Sequence, residues 1–397
     1  MSRNLQAAAG LAIASLAGAL LAIAPVFANP YIPASDSEVL ERLPEKNDPS
    51  LRDLKRLRIA ASKHPDDLVL AIRLGRRSIE AARDSGDPRF LGQAQAALAP
   101  WWKMPDPPAA ALLLRATIKQ SNHDFDGAIA DLDRLIGRNP ADGQALLTRA
   151  TLLTVQGNYR AARTDCARIA PLTVPLVYVA CDAAPASLSG DADSAYRSLL
   201  EMLSGASDTD AALREWALTL AGEIAERRGD HAAAETHFRG ALALDSRDPY
   251  LIAAYCDFLL DRGRAREVPP LVEDQTRNDN LLLRLALAEQ QLPDAASAFA
   301  RHRQDLAERF DAARRRGDSL HRREEARYRL TIEGDARGSL RLARENWQLQ
   351  REPADLRILA EAASAAGDAA TLREVAEWAA ANRLQYAALR PVAGERR

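Results

Sequence analysis

A spacing constrains this chain more than any single motif. Thirty-four residues after Phe125 stands Tyr159, after Ala128 stands Ala162, after Leu132 stands Cys166, and after Ala116 stands Ala150. Four positions held in one register describe a repeated unit, because unrelated segments have no reason to share an offset for aromatic, small and apolar residues. The opening copy, HDFDGAIADLDRLIGRNP over 123–140, is followed by GNYRAARTDCARI over 157–169, GDADSAYRSLL over 190–200 and GDHAAAETHFRGAL over 229–242. GRAREVPPLVE over 263–273, EGDARGSLRLA over 333–343 and AGDAATLREVA over 366–376 continue the series.

Each copy has the same physical grammar. An amphipathic helix with a small residue at its middle (Ala116, Ala150, Ala183, Gly222, Cys256, Ala360) runs into a Gly-Asp or Gly-Asn turn. Glycine supplies a left-handed backbone at the helix end, and the following Asp or Asn caps the next helix. The second helix carries its own small residue (Ala128, Ala162, Ala195, Ala234), so two backbones can approach closely. Aromatic residues make up 5% of the chain and period-two runs of β-branched residues are scarce, which predicts an all-α protein.

This pattern resembles the tetratricopeptide repeat, whose unit has a small residue at position 8, glycine at 15, an aromatic at 17, alanine at 20, an aromatic or leucine at 24 and proline at 32. In that frame units begin near 109, 143, 176, 215, 249, 320 and 353, with a degenerate one over 66–99; Ala128 falls at position 20 and Pro140 at 32. The resemblance implies a right-handed superhelical solenoid of antiparallel helix pairs, with a concave groove lined by the first helix of each pair. The repeats are expected over 51–292 and 320–390. Residues 293–319, a longer basic amphipathic helix, are expected to interrupt the stack, and 391–397 form a flexible tail. In the unit at 249, Val268 replaces the crossing alanine and Pro269-Pro270 breaks the second helix. PWWKMPDPP over 100–108 reads as a loop insertion, with Trp101 and Trp102 folded over a repeat junction.

The first residues carry an address. A positive start, an apolar stretch over 5–25 and Val26-Phe27-Ala28 read as a signal peptide over 1–28, cleaved after Ala28 rather than retained as an anchor, so a periplasmic or secreted location is expected. Residues 29–50, polar and rich in proline, read as an extended leader. The formal net charge is −2 over the whole chain, which argues against nucleic acid as a partner.

By the resemblance, the residues facing the groove include Thr117, Gln120, Thr151, Thr154, Trp216, Glu223, Glu226, Arg227, Tyr250, Asp257 and Asp261. Carboxylates outnumber arginines in the later units, which suits a basic or amide-rich segment of a protein or peptide partner. Catalytic and metal constellations are not apparent. The six histidines fall in no ligand spacing, carboxylate pairs such as Asp124 with Asp126 diverge around a helix, and no nucleophile-elbow, Walker or dinucleotide motif occurs. No enzymatic activity, no metal and no small-molecule cofactor are expected.

Two features remain. Cys166 lies on the second helix of one unit and Cys181 on the first helix of the next, adjacent across the Pro171–Pro175 turn, so in an oxidising compartment they are expected to form a disulfide, with Cys256 a buried thiol. Residues 301–329 hold ten arginines against six acids, among them Arg314, Arg315 and Arg316. That segment offers a second reading, an envelope assembly factor that binds an anionic polysaccharide or membrane surface.

Overall fold

The computed structural model describes residues 49–205, 210–317 and 321–389, and among them every regular element is helical. The chain opens with α1 (Pro49–Lys63), α2 (Leu68–Ser85), α3 (Arg89–Ala97) and the single turn α4 (Ala99–Trp102). Four regular pairs follow: α5 (Ala109–Ser121) with α6 (Phe125–Arg138), α7 (Gly143–Val155) with α8 (Tyr159–Ile169), α9 (Pro175–Ser187) with α10 (Ala192–Ser204), and α11 (Ala211–Arg228) with α12 (His231–Leu242). Then come α13 (Pro249–Leu260), the short α14 (Pro269–Val272), α15 (Asp279–Glu289), α16 (Ala296–Arg315) and α17 (Arg322–Tyr328). The last pairs are α17, extended by a wide turn over Arg329–Glu333, with α18 (Ala336–Trp347), and α19 (Pro353–Ala366) with α20 (Ala369–Ala381). Each helix packs on its neighbours in sequence, which makes the described chain a helical solenoid.

The local chemistry explains the helix boundaries. Second helices start at an aspartate whose carboxylate accepts a backbone N–H three residues on, at Asp124, Asp230, Asp335 and Asp368. First helices end at a left-handed residue, glycine in most units and His123 in the first (φ 59°). The two prolines at 269 and 270 leave only one α-turn between two 3-10 turns, since neither proline can donate to the preceding turn.

Packing follows the small residues. Ala116, Ala128 and Ala162 are wholly buried, and Ala150 and Ala360 nearly so, each where two helix backbones cross. Gly222 takes this furthest, since a Cβ there would lie 2.8 Å from the ring of Phe238. A buried clamp also repeats with the register. The Arg115 guanidinium donates to both Asp131 oxygens at 2.7 and 2.8 Å, and Arg149 grips Asp165 in the same way at 2.7 Å, each tying a first helix to its partner.

The sequence register gave no unit for 279–315, yet these residues form a helix pair. The run LLLRLALAE of α15 is buried at every position, and Leu306 and Phe310 of α16 pack into the same core. A helix apolar on all sides has no periodic stripe, so amphipathic pattern alone does not reveal it.

Cys166 and Cys181 are joined by a disulfide with Cα atoms 5.6 Å apart, linking α8 to α9. Cys256 is a buried free cysteine, and burial pushes its thiol up to about 12. Reducing the disulfide is expected to lower unfolding free energy by about 3 kcal/mol, the chain-entropy value for so short a loop, as measured by urea denaturation with and without reductant. Gly222→Ala should destabilise by about 1–3 kcal/mol through overpacking against Phe238, reversing the gain that alanine normally brings to a helix; an unchanged or higher Tm would contradict this.

Candidate binding groove and its closure

The residues expected to line a groove fall into three groups. Thr117 and Gln120 on α5 line a hollow of about 290 Å³ shared with Ile79, Ala82, Arg83 and Leu91 of α2 and α3. Thr151 and Thr154 on α7 turn their hydroxyls back to the carbonyls of Leu147 and Ala150, and Trp216 packs on the core. Glu223, Glu226 and Arg227 of α11, Tyr250 and Asp257 of α13, and Asp261 at its C-terminal cap lie on the side that meets the C-terminal repeats.

There the acids are not alike. Asp257 accepts from Arg284 at 2.7 Å and from Arg327 at 2.6 Å; burial works to raise its pKa, but the two guanidinium groups outweigh it and hold the carboxyl well below the usual range. Asp261 receives Arg357 through both oxygens at 2.5 and 2.7 Å, across 96 residues of sequence. Arg227 donates to the Ser187 hydroxyl at 3.0 Å. The Tyr250 hydroxyl donates to Glu223 at 2.6 Å, while the residue as a whole is 57% exposed. The Glu223 carboxylate, then the low-dielectric surroundings and Glu352 push that phenol well above its ordinary value. Glu226 is different again: burial, reinforced by Asp261, raises its carboxyl to about 7, with Arg262 only a distant counter-charge at 3.8 Å.

The C-terminal repeats close this side. Four successive units present a left-handed residue at the same turn position, His123, Gly157, Gly190 and Gly229, and each meets the C-terminal repeats. Gln350 Nε2 lies 3.0 Å from His123 Nδ1. The Arg351 N–H donates to the Val155 carbonyl at 2.7 Å, its side chain covers Gly157, and Trp378 stands edge-on to Tyr159. Arg383 donates to the Ser189 carbonyl at 3.1 Å and leaves no room for a side chain at Gly190, and Ala387 lies beside Gly229. With the Arg327–Asp257 and Arg357–Asp261 pairs, these contacts seat the last repeats against the turns and first helices of five earlier units.

None of these partners was legible in the sequence reading. Arg284, Arg327, Arg357 and Arg383 look like solvated helix-face arginines until the fold brings them to residues as far as 194 positions away. The arginine-rich segment is likewise engaged. Arg314 pairs with Glu325 at 2.5 Å and Arg315 with Asp311 at 2.5 Å.

Because the Glu226 carboxyl is raised rather than lowered, it resists ionisation in the folded protein between pH 4.5 and 7 and weakens the fold as pH climbs through that window. Glu226→Gln should therefore stabilise the protein by about 1–3 kcal/mol above pH 7 and change nothing near pH 4, read from denaturation curves at each pH.

A tetratricopeptide repeat family model matches residues 186–315. Among solved structures, a tetratricopeptide repeat protein from Parabacteroides merdae shares 17% identity over 64% of this chain and 91% of its own, with a TM-score of 0.41. The tetratricopeptide repeat domain of P58(IPK) shares 18% identity over 82% of this chain and 96% of its own, with a TM-score of 0.23. A search of curated proteins finds no match. The repeat register, the paired helices and the family match show tetratricopeptide repeats over 186–315 of this chain.

Proposed function

We propose that this protein is an exported, non-enzymatic scaffold that binds a protein or peptide partner through the α11–α13 wall of its groove. Tetratricopeptide repeats generally mediate contacts between proteins, which supports the general class. The observation that carries the site is the Tyr250–Glu223 pair, an exposed aromatic held by a carboxylate beside the closed face. An aromatic ring with an adjacent acid suits a lysine- or amide-bearing extended segment, offering stacking area and a charged acceptor together. Asp257 and Asp261 take no part in recognition, because each already neutralises arginines of the chain itself.

The reading of 301–329 as an anionic-surface site loses support from the same inventory. At least seven of its ten arginines, Arg309, Arg314, Arg315, Arg322, Arg323, Arg327 and Arg329, are ion-paired among the described residues.

The experiment is a crosslinking capture from the periplasm using the mature protein and the double variant Tyr250→Ala, Glu223→Lys. Wild type is expected to retain a specific protein that the variant retains at least about tenfold less, the scale of one lost interfacial hot spot. Equal capture by both would move the site off this wall. A purified protein that captured nothing and turned over a substrate would end the scaffold reading. N-terminal sequencing of the exported chain should begin at Asn29.

A further inference from the structure

The arginines of this protein are distributed in two ways. From α5 onward most are paired with acids, as in the Arg115, Arg149, Arg264 and Arg357 bridges. At the α1–α2 end the pattern inverts. Residues 49–77 hold eight Lys and Arg against three Asp, in a chain whose overall formal charge is −2. Lys55, Arg56, Arg58, Lys63, Arg73 and Arg76 are all exposed and make no salt bridge or side-chain hydrogen bond among the described residues.

Three of these cations fall on one face of α1. Leu54 and Leu57 of α1 turn inward onto Leu74 of α2, so the opposite stripe of α1, running through Lys55, Arg56, Ile59 and Lys63 at helical spacing, faces outward. Large apolar side chains stand among the charges: Ile59 is 48% exposed, Leu51 41%, and Val69 at the start of α2 67%. Unpaired cations repel one another and gain nothing from the fold, while scattered apolar side chains between them gain from leaving water. A surface of that composition fits a layer of negative headgroups above hydrocarbon.

We propose that the α1–α2 end of the solenoid docks on an anionic phospholipid surface, with the basic stripe of α1 on the headgroups and Leu51, Ile59 and Val69 reaching below them. A soluble anionic polymer would satisfy the charges but offers nothing to the three apolar side chains, which is why a bilayer is the better fit.

The test is co-sedimentation of the mature protein, beginning at Asn29, with vesicles of phosphatidylcholine alone and with about one-third phosphatidylglycerol, at low and high salt. Binding is expected only to the anionic vesicles, and to weaken as salt rises. Lys55→Glu, Arg56→Glu and Lys63→Glu combined should reduce it by more than about 100-fold, because each cation near such a surface contributes a factor of about five. These side chains are exposed, so the variant should keep the wild-type helical signal and Tm. Arg301→Glu with Arg303→Glu, two arginines of the other basic segment that make no salt bridge among the described residues, should change nothing. Loss in that control with retention in the α1 variant would overturn the proposal. Equal binding to neutral vesicles, no binding at all, or binding to heparin without binding to vesicles would each overturn it too.

Discussion

Everything in this fold depends on how closely two helices can cross. Ala116 against α6 and Ala150 against α8 sit at crossings with no side chain beyond Cβ, and Gly222 gives up even that atom to Phe238. Close crossings bring backbones near enough for their neighbouring apolar residues to interlock at crystal-like density. They also fix the geometry of each pair, and so the geometry of the stack. A one-dimensional array propagates each local angle along its length, and the turn of the whole is set by the sum of its crossings.

That propagation brings the chain back on itself. The last repeats meet the turn positions of four earlier units in order, His123 to Gly229, and then the acids of α13. Closure of this kind changes the electrostatic character of the concave side. Four acids that look alike in sequence become four different groups. Asp257 and Asp261 are neutralised structural anchors, Glu223 holds an exposed tyrosine, and Glu226 sits with too little positive charge and a raised pKa. Burial makes an unpaired charge expensive and a paired one tolerable, so the fold sorts them by which arginine arrives. The same sorting separates the two basic regions: among the described residues Lys55, Arg56, Arg58, Lys63, Arg73 and Arg76 of α1 and α2 have no salt bridge, while most of the arginines over 301–329 find acids.

The sequence by itself determined what a local rule can decide. Caps, left-handed turns and crossing residues act within one unit, so helix starts at 109, 143, 249 and 353 were legible to within a residue, and the broken helix at Pro269-Pro270 was visible as such. The disulfide was legible too, because both cysteines lie in consecutive helices whose packing the repeat already dictates. Only the tertiary structure decided what the groove residues do. Arg357 and Asp261 are 96 residues apart, and Arg383 and Ser189 are 194 apart, separations at which no periodicity carries information. The α15–α16 pair was hidden for a related reason, since a helix buried on every side shows no face to read. Local spacing fixes each unit because its interactions lie within a few turns of helix; the site depends on where the accumulated curvature of the array brings its two ends together.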